Sequence, residues 1–137
     1  MKIAKEYKWE MGHRLTFHKG GCENLHGHSY KMLVEISGDK DENGMLLDYF
    51  DLDKMINPLT GELDHGFIVY NEDIVLIEFM RKINSKMTVV PFQPTAENLC
   101  GYLIDKIKKQ KLPSNIKTLR VRVSETEDVF AEEIMEV

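Results

Sequence analysis

The sequence predicts an α+β domain built on an antiparallel sheet, and three observations carry that expectation. Period-two alternation stands at both ends of the chain, stripes of helical period fill the middle, and the two are not interleaved as strand-helix-strand units. The expected order is strand, strand, helix, helix, helix, strand, strand, within a single domain spanning residues 1–137. A chain of 137 residues is long enough to bury a core without disulfides.

In the first strand Ile3, Tyr7, Trp9, Met11 and His13 share one parity, with Lys5 the exception, so an otherwise apolar face ends in a histidine. In the second, His26, His28, Tyr30, Met32, Val34 and Ile36 face one way. Ser29, Lys31, Glu35 and Ser37 face the other, and Leu33 alone breaks the pattern. The segment GDKDENGM then reads as a turn, with Asn43-Gly44 suited to positive φ.

Asp48 is expected to cap a helix running to about Asn57, with Leu52, Met55, Ile56 and Leu59 on one stripe and Pro58 marking its exit. A second helix is expected near residues 73–83, its apolar side carried by Ile74, Ile77, Met80 and Ile83. The clearest helix follows Thr95 as N-cap, because Ala96, Leu99, Cys100, Leu103, Ile104 and Ile107 recur at intervals of three and four. Cys100 lies inside that stripe and reads as a small core residue.

After the break KLPSN, Leu119, Val121, Val123 and Glu125 alternate with Thr118, Arg120, Arg122 and Ser124, which delivers a carboxylate onto an apolar strand face. A last strand is expected over residues 129–137.

A formal net charge of -5 with scattered lysines argues against nucleic acid as a partner. The cluster Lys106, Lys108, Lys109 and Lys111 reads as the solvated end of a helix. No apolar run approaches the roughly 18 to 20 residues of a membrane span, and the opening MKIAKEYKWE has no stretch of signal-peptide type. A cytoplasmic protein without a membrane partner is therefore expected, with Cys22 and Cys100 reduced.

His26 and His28 stand two apart on one strand, so both rings point the same way and can reach one ion. Zinc accepts neutral imidazole, and catalytic zinc sites use three protein ligands with one position open. His13 is the natural third, brought across if the two strands pair, whereas His18 lies among polar loop residues and reads as solvated.

Cys22 lies four residues before His26, where it can sit beside a metal as a thiolate or close the site as a fourth ligand. In GELDHGF, Asp64 precedes His65. A carboxylate holding an imidazole makes a proton-transfer unit, although ordinary loop residues explain the pair as well. Glu125 is costly on an apolar face unless paired, and such a carboxylate can accept two parallel N–H bonds from the edge of a pterin or guanine. A solvated strand end is the equal alternative.

GHRL with His13, CENLHGHSYKMLVEISG, GMLLDYFDL, LDHGF, PTAENL and VRVSETED occur in this order over nearly the whole chain. Together they resemble the 6-pyruvoyltetrahydropterin synthase superfamily. The three residues between Cys22 and His26 resemble its 6-carboxy-5,6,7,8-tetrahydropterin synthase branch, since pyruvoyl-forming members usually have a longer gap. The resemblance implies a tunnelling fold: a four-stranded antiparallel sheet with helices on one face, closing into a β-barrel within a trimer and commonly a hexamer.

It also implies Zn2+ on His13, His26 and His28, Cys22 as the proton-abstracting base, and Asp64 with His65 as a second acid/base unit supplied by a neighbouring subunit. Glu125 would anchor the pterin and Thr95 would touch it. The implied reaction converts 7,8-dihydroneopterin triphosphate to carboxytetrahydropterin, with loss of triphosphate and acetaldehyde, on the 7-deazaguanine route to queuosine. Two readings compete with it: a pyruvoyl-forming synthase and a non-catalytic zinc-stabilised oligomer. Residues 72–93 exceed the spacing of shorter members, and an inserted helix there is expected at the entrance or at a subunit contact.

Overall fold

A computed structural model describes residues 1–137. Strands β1 (Lys2–His13) and β2 (His26–Gly38) are followed by α1 (Tyr49–Leu63), β3 (Gly66–Tyr70), α2 (Ile74–Lys82), β4 (Met87–Val90), α3 (Ala96–Lys108), β5 (Ile116–Thr126) and β6 (Val129–Glu136). The α+β class holds, but the sheet has six strands where four were expected, in the order β4-β3-β1-β2-β5-β6.

It is also mixed rather than antiparallel, because β1 pairs parallel with β3 and β3 parallel with β4. These two strands are five and four residues long, and so short an alternation is easily read as connecting loop.

The long antiparallel pair follows the expected parity. His13 stands opposite His26 and Met11 opposite His28, while Trp9 stacks on its cross-strand partner Tyr30 at 5.4 Å. In the turn, Asp41 accepts the N–H groups of Asn43 and Met45, and Gly44 takes the positive φ.

Asp48 caps α1 by accepting the Phe50 N–H, yet the helix continues through Pro58 to Leu63. Proline removes one helical hydrogen bond but tolerates helical φ, and the burial of Thr60 and Leu63 on the inner side holds the last turn in place.

Helices α1 and α3 cover one face of the sheet. Leu52 and Ile56 of α1 and Leu99, Leu103 and Ile107 of α3 pack with Met32, Val34, Ile36 and Val121 in a core of 22 buried residues. The expectation of helices on one face fails for α2. Along β3, Ile68 belongs to the main core, whereas Val69 joins Leu76, Ile77 and Met80 of α2 in a second cluster. Successive strand residues point to opposite faces, so α2 packs behind β3 and β4. Its inner side is Leu76, Ile77 and Met80, while Ile74 and Ile83 are exposed.

Gly12 explains how β3 comes in so close, since a Cβ there would overlap the Phe67 ring. No helix is long and apolar enough to cross a membrane.

Candidate metal centre and active site

Strand pairing alone assembles the three histidines. His13 closes β1, His26 opens β2 directly opposite, and His28 follows on the same face. Their ring centroids are 4.6, 5.1 and 4.9 Å apart, and one donor atom from each lies within 4.8 Å of the others.

Backbone carbonyls fix two of the rings. His13 Nδ1 donates to Pro94 O and His26 Nδ1 to Asn24 O, both at 2.7 Å. Each bond leaves Nε2 as the free lone pair, as in metal sites where an outer carbonyl sets the tautomer. The His13 Nε2 atom is fully buried and has no hydrogen-bond partner. A buried orphan acceptor is costly, and a cation held by the three nitrogens removes the cost, so the residues fit a metal ion.

Electrostatics favour the ligand state. Burial, opposed by the Pro94 hydrogen bond and aided by the other two imidazoles, lowers the His13 pKa to about 4. His28 is also lowered, by burial and then by His26, so both rings are neutral near pH 7.

Glu125, at the end of the apolar face of β5, reaches the same place. Its carboxylate oxygens lie 3.9 Å from His13 Nε2 and 3.8 Å from His28 Nε2. Burial and the neighbouring Glu97 raise its pKa. Both are relieved by a positive or N–H-rich ligand.

Cys22 sits half-buried in a single 3-10 turn, Gly21–Glu23, and its carbonyl accepts the Leu15 N–H at 2.8 Å. Its sulfur is not in the gathered donor set. Cys100 is buried in α3, donates to Val121 O, and has its thiol pushed up to about 11 by burial, which makes it inert. His18 is exposed.

Asp64 and His65 do contact each other, with Oδ2 and Nδ1 2.9 Å apart. Asp64 Oδ1 also accepts the Glu10 N–H, and that bond followed by His65 holds its pKa below the usual carboxylate range. His65 adopts φ 57°, a left-handed conformation that a non-glycine residue keeps only when its surroundings impose it. Here its N–H donates to Glu10 O, and its side chain is 78% exposed.

A cavity of about 410 Å³ is lined by His65 together with His26 and His28, although the rings packed against the triad are its own members and Tyr30. Thr95 caps α3 by accepting the Asn98 N–H, which places Pro94 to hold His13.

Parity and motif alone did not reveal the Asn24 and Pro94 carbonyls, because any residue offers one. Glu97 and the Arg14–Asp73 pair were also missed; an aspartate standing directly before an apolar helical stripe was the available signal for that pair.

A sequence profile described as 6-pyruvoyl tetrahydropterin synthase matches residues 2–134. A Haemophilus influenzae protein named 6-carboxy-5,6,7,8-tetrahydropterin synthase is 34% identical, over 96% of each chain. One of the same name from Aquifex aeolicus is 32% identical, again over 96% of each. The crystal structure of 6-pyruvoyl tetrahydropterin synthase from Plasmodium vivax shares the fold, with a TM-score of 0.81 at 20% identity over 100% of this chain and 98% of that one.

Proposed function

Because the chain belongs to the 6-pyruvoyl tetrahydropterin synthase family, we propose that it is a 6-carboxy-5,6,7,8-tetrahydropterin synthase. With uptake of one water, it would convert 7,8-dihydroneopterin triphosphate to 6-carboxy-5,6,7,8-tetrahydropterin with release of acetaldehyde and triphosphate. The observation that carries the reading is the convergence of three lone-pair nitrogens and one carboxylate, on His13, His26, His28 and Glu125. The names of the relatives and the short spacing from Cys22 to His26 favour the carboxy product over the pyruvoyl one.

Zn2+ on His13, His26 and His28 would polarise the hydroxyls of the substrate side chain and acidify the adjoining C–H bonds. Cys22, whose sulfur is not in the gathered donor set, would accept one of those protons as thiolate. His65, with its tautomer held by Asp64, moves the second proton. Glu125 accepts two parallel N–H bonds from the 2-amino group and ring nitrogen of the pterin. Thr95 can still donate its hydroxyl proton to the substrate, because in the cap it only accepts.

The reading includes a cytoplasmic enzyme of 7-deazaguanine and queuosine biosynthesis, working as a trimer-based homo-oligomer, commonly a hexamer. Both sheet edges, β4 and β6, support assembly, and β6 exposes Val129, Phe130 and Ile134. The exposed His65 side chain supports a role for it in a neighbouring subunit's site.

The test is mass spectrometry of products from zinc-loaded protein given 7,8-dihydroneopterin triphosphate, with acetaldehyde trapped. Carboxytetrahydropterin plus acetaldehyde is expected. A pyruvoyl product without acetaldehyde would move the chain to the other branch, and no turnover with tightly bound metal would leave a structural zinc site.

A further inference from the structure

We propose that Arg14 and Asp73 form a positioning pair, through which α2 sets the distance between His13 and Cys22. The inference rests on the reading of these two residues as metal ligand and base.

The guanidinium meets the carboxylate as a fork, Nε to Oδ2 at 2.7 Å and Nη2 to Oδ1 at 2.5 Å. A bidentate ion pair fixes orientation as well as distance, and the Asp73 side chain is only 4% exposed. The hydrogen bonds of the pair raise the Arg14 pKa and lower that of Asp73, so both are charged.

The same carboxylate caps α2 by accepting the Leu76 N–H, and α2 is seated on β3 through Val69, Ile77 and Met80. The fork is therefore anchored in a packed element rather than in a loop.

What it anchors is the stretch of chain joining two functional groups. Immediately before Arg14 stands His13, with its ring held by Pro94 O. Immediately after, the Leu15 N–H donates to the Cys22 carbonyl. A shift of the Arg14 backbone therefore moves a metal ligand on one side and the Cys22 turn on the other. A further bond from Gln93 to Thr16 ties the same stretch to the segment before α3. Three-ligand metal sites tolerate little displacement, and proton transfer tolerates less than about 1 Å. Neither side chain need touch the substrate for the pair to matter.

Asp73→Asn keeps a capping side chain but loses the charge, and Arg14→Lys keeps the charge but loses the fork. Each should weaken Co2+ affinity, read from its d–d absorption, by about 10-fold, and change the alkylation rate of Cys22 by about threefold. Far-UV circular dichroism should remain native. Asp53→Asn is the control, because it removes the charge from the tie of β1 to α1 through Lys5 and Tyr7 and leaves Arg14 alone. It should change neither reading.

Unchanged Co2+ affinity and alkylation in both variants would overturn the proposal, as would equal changes in Asp53→Asn or loss of folding in both variants, since the pair would then be only a brace. Neither reading needs turnover. A protein that binds Co2+ and responds to Asp73→Asn but makes no pterin product would retire the proposed reaction and keep this pair.

Discussion

His13 concentrates the chemistry of the site in one side chain: a ring only 2% exposed, Nδ1 donating to Pro94 O, and Nε2 without a partner. Its folded pKa of about 4 lies below the unfolded value of 6.5, so the unfolded chain binds more protons between the two. The stability of the metal-free protein is then whole above about pH 6.5, erodes as pH falls towards 4, and gains no further loss from this residue below that. The erosion is on the order of 3 kcal/mol. Urea titrations at pH 7 and pH 4.5 should show it, and His13→Gln should lack that part of the decline; an identical decline in the variant would mean that other groups cause it. Glu125 should separate metal from pterin. Glu125→Gln is expected to retain zinc while pterin affinity falls roughly 10- to 100-fold, from the loss of charge-assisted bonds. Calorimetry with a pterin ligand measures the second quantity and elemental analysis the first.

At the scale of elements, His13, His26, Asp64, Thr95 and Glu125 sit at or next to the point where an element begins or ends. Thr95 is the clearest case, because one hydroxyl caps α3 and is also the proposed substrate contact. Thr95→Ala should cost about 1 kcal/mol in chemical denaturation and Thr95→Ser almost nothing, as for other N-caps. If Thr95 also touches substrate, the alanine variant raises KM beyond any change in the folded fraction. The serine variant separates the two effects, since it restores both cap and donor. The short parallel strands β3 and β4 bring residues 64–65 and the α2 N-cap up to the C-terminal end of β1. Without them the Asp64–His65 pair would have no Glu10 backbone to bind.

At the scale of the molecule, two cores divide the labour. The large cluster between α1, α3 and the sheet sets global stability, whereas the four-residue cluster seats α2 on the opposite face. Leu103→Ala, in the first, should lower the unfolding free energy by about 2–5 kcal/mol. Met80→Ala, in the second, should act locally, with faster hydrogen exchange confined to α2 and the adjoining β3–β4 pair. Uniform acceleration across β1 and β2 would instead show that the two clusters unfold as one.

The sequence by itself determined the parity of β1, β2 and β5, and with it which face receives His13, His26, His28 and Glu125, because the side-chain period of a strand is two whatever the surroundings. It determined the caps at Asp48 and Thr95 for the same local reason. Only the tertiary structure decided that β3 and β4 are strands, that α1 runs on past Pro58, and that α2 lies behind the sheet, since these rest on pairing and burial between distant segments. It also decided which carbonyls hold the histidine rings. A backbone acceptor carries no mark in the sequence, and Pro94 reaches His13 across 81 positions because α3 packs where it does.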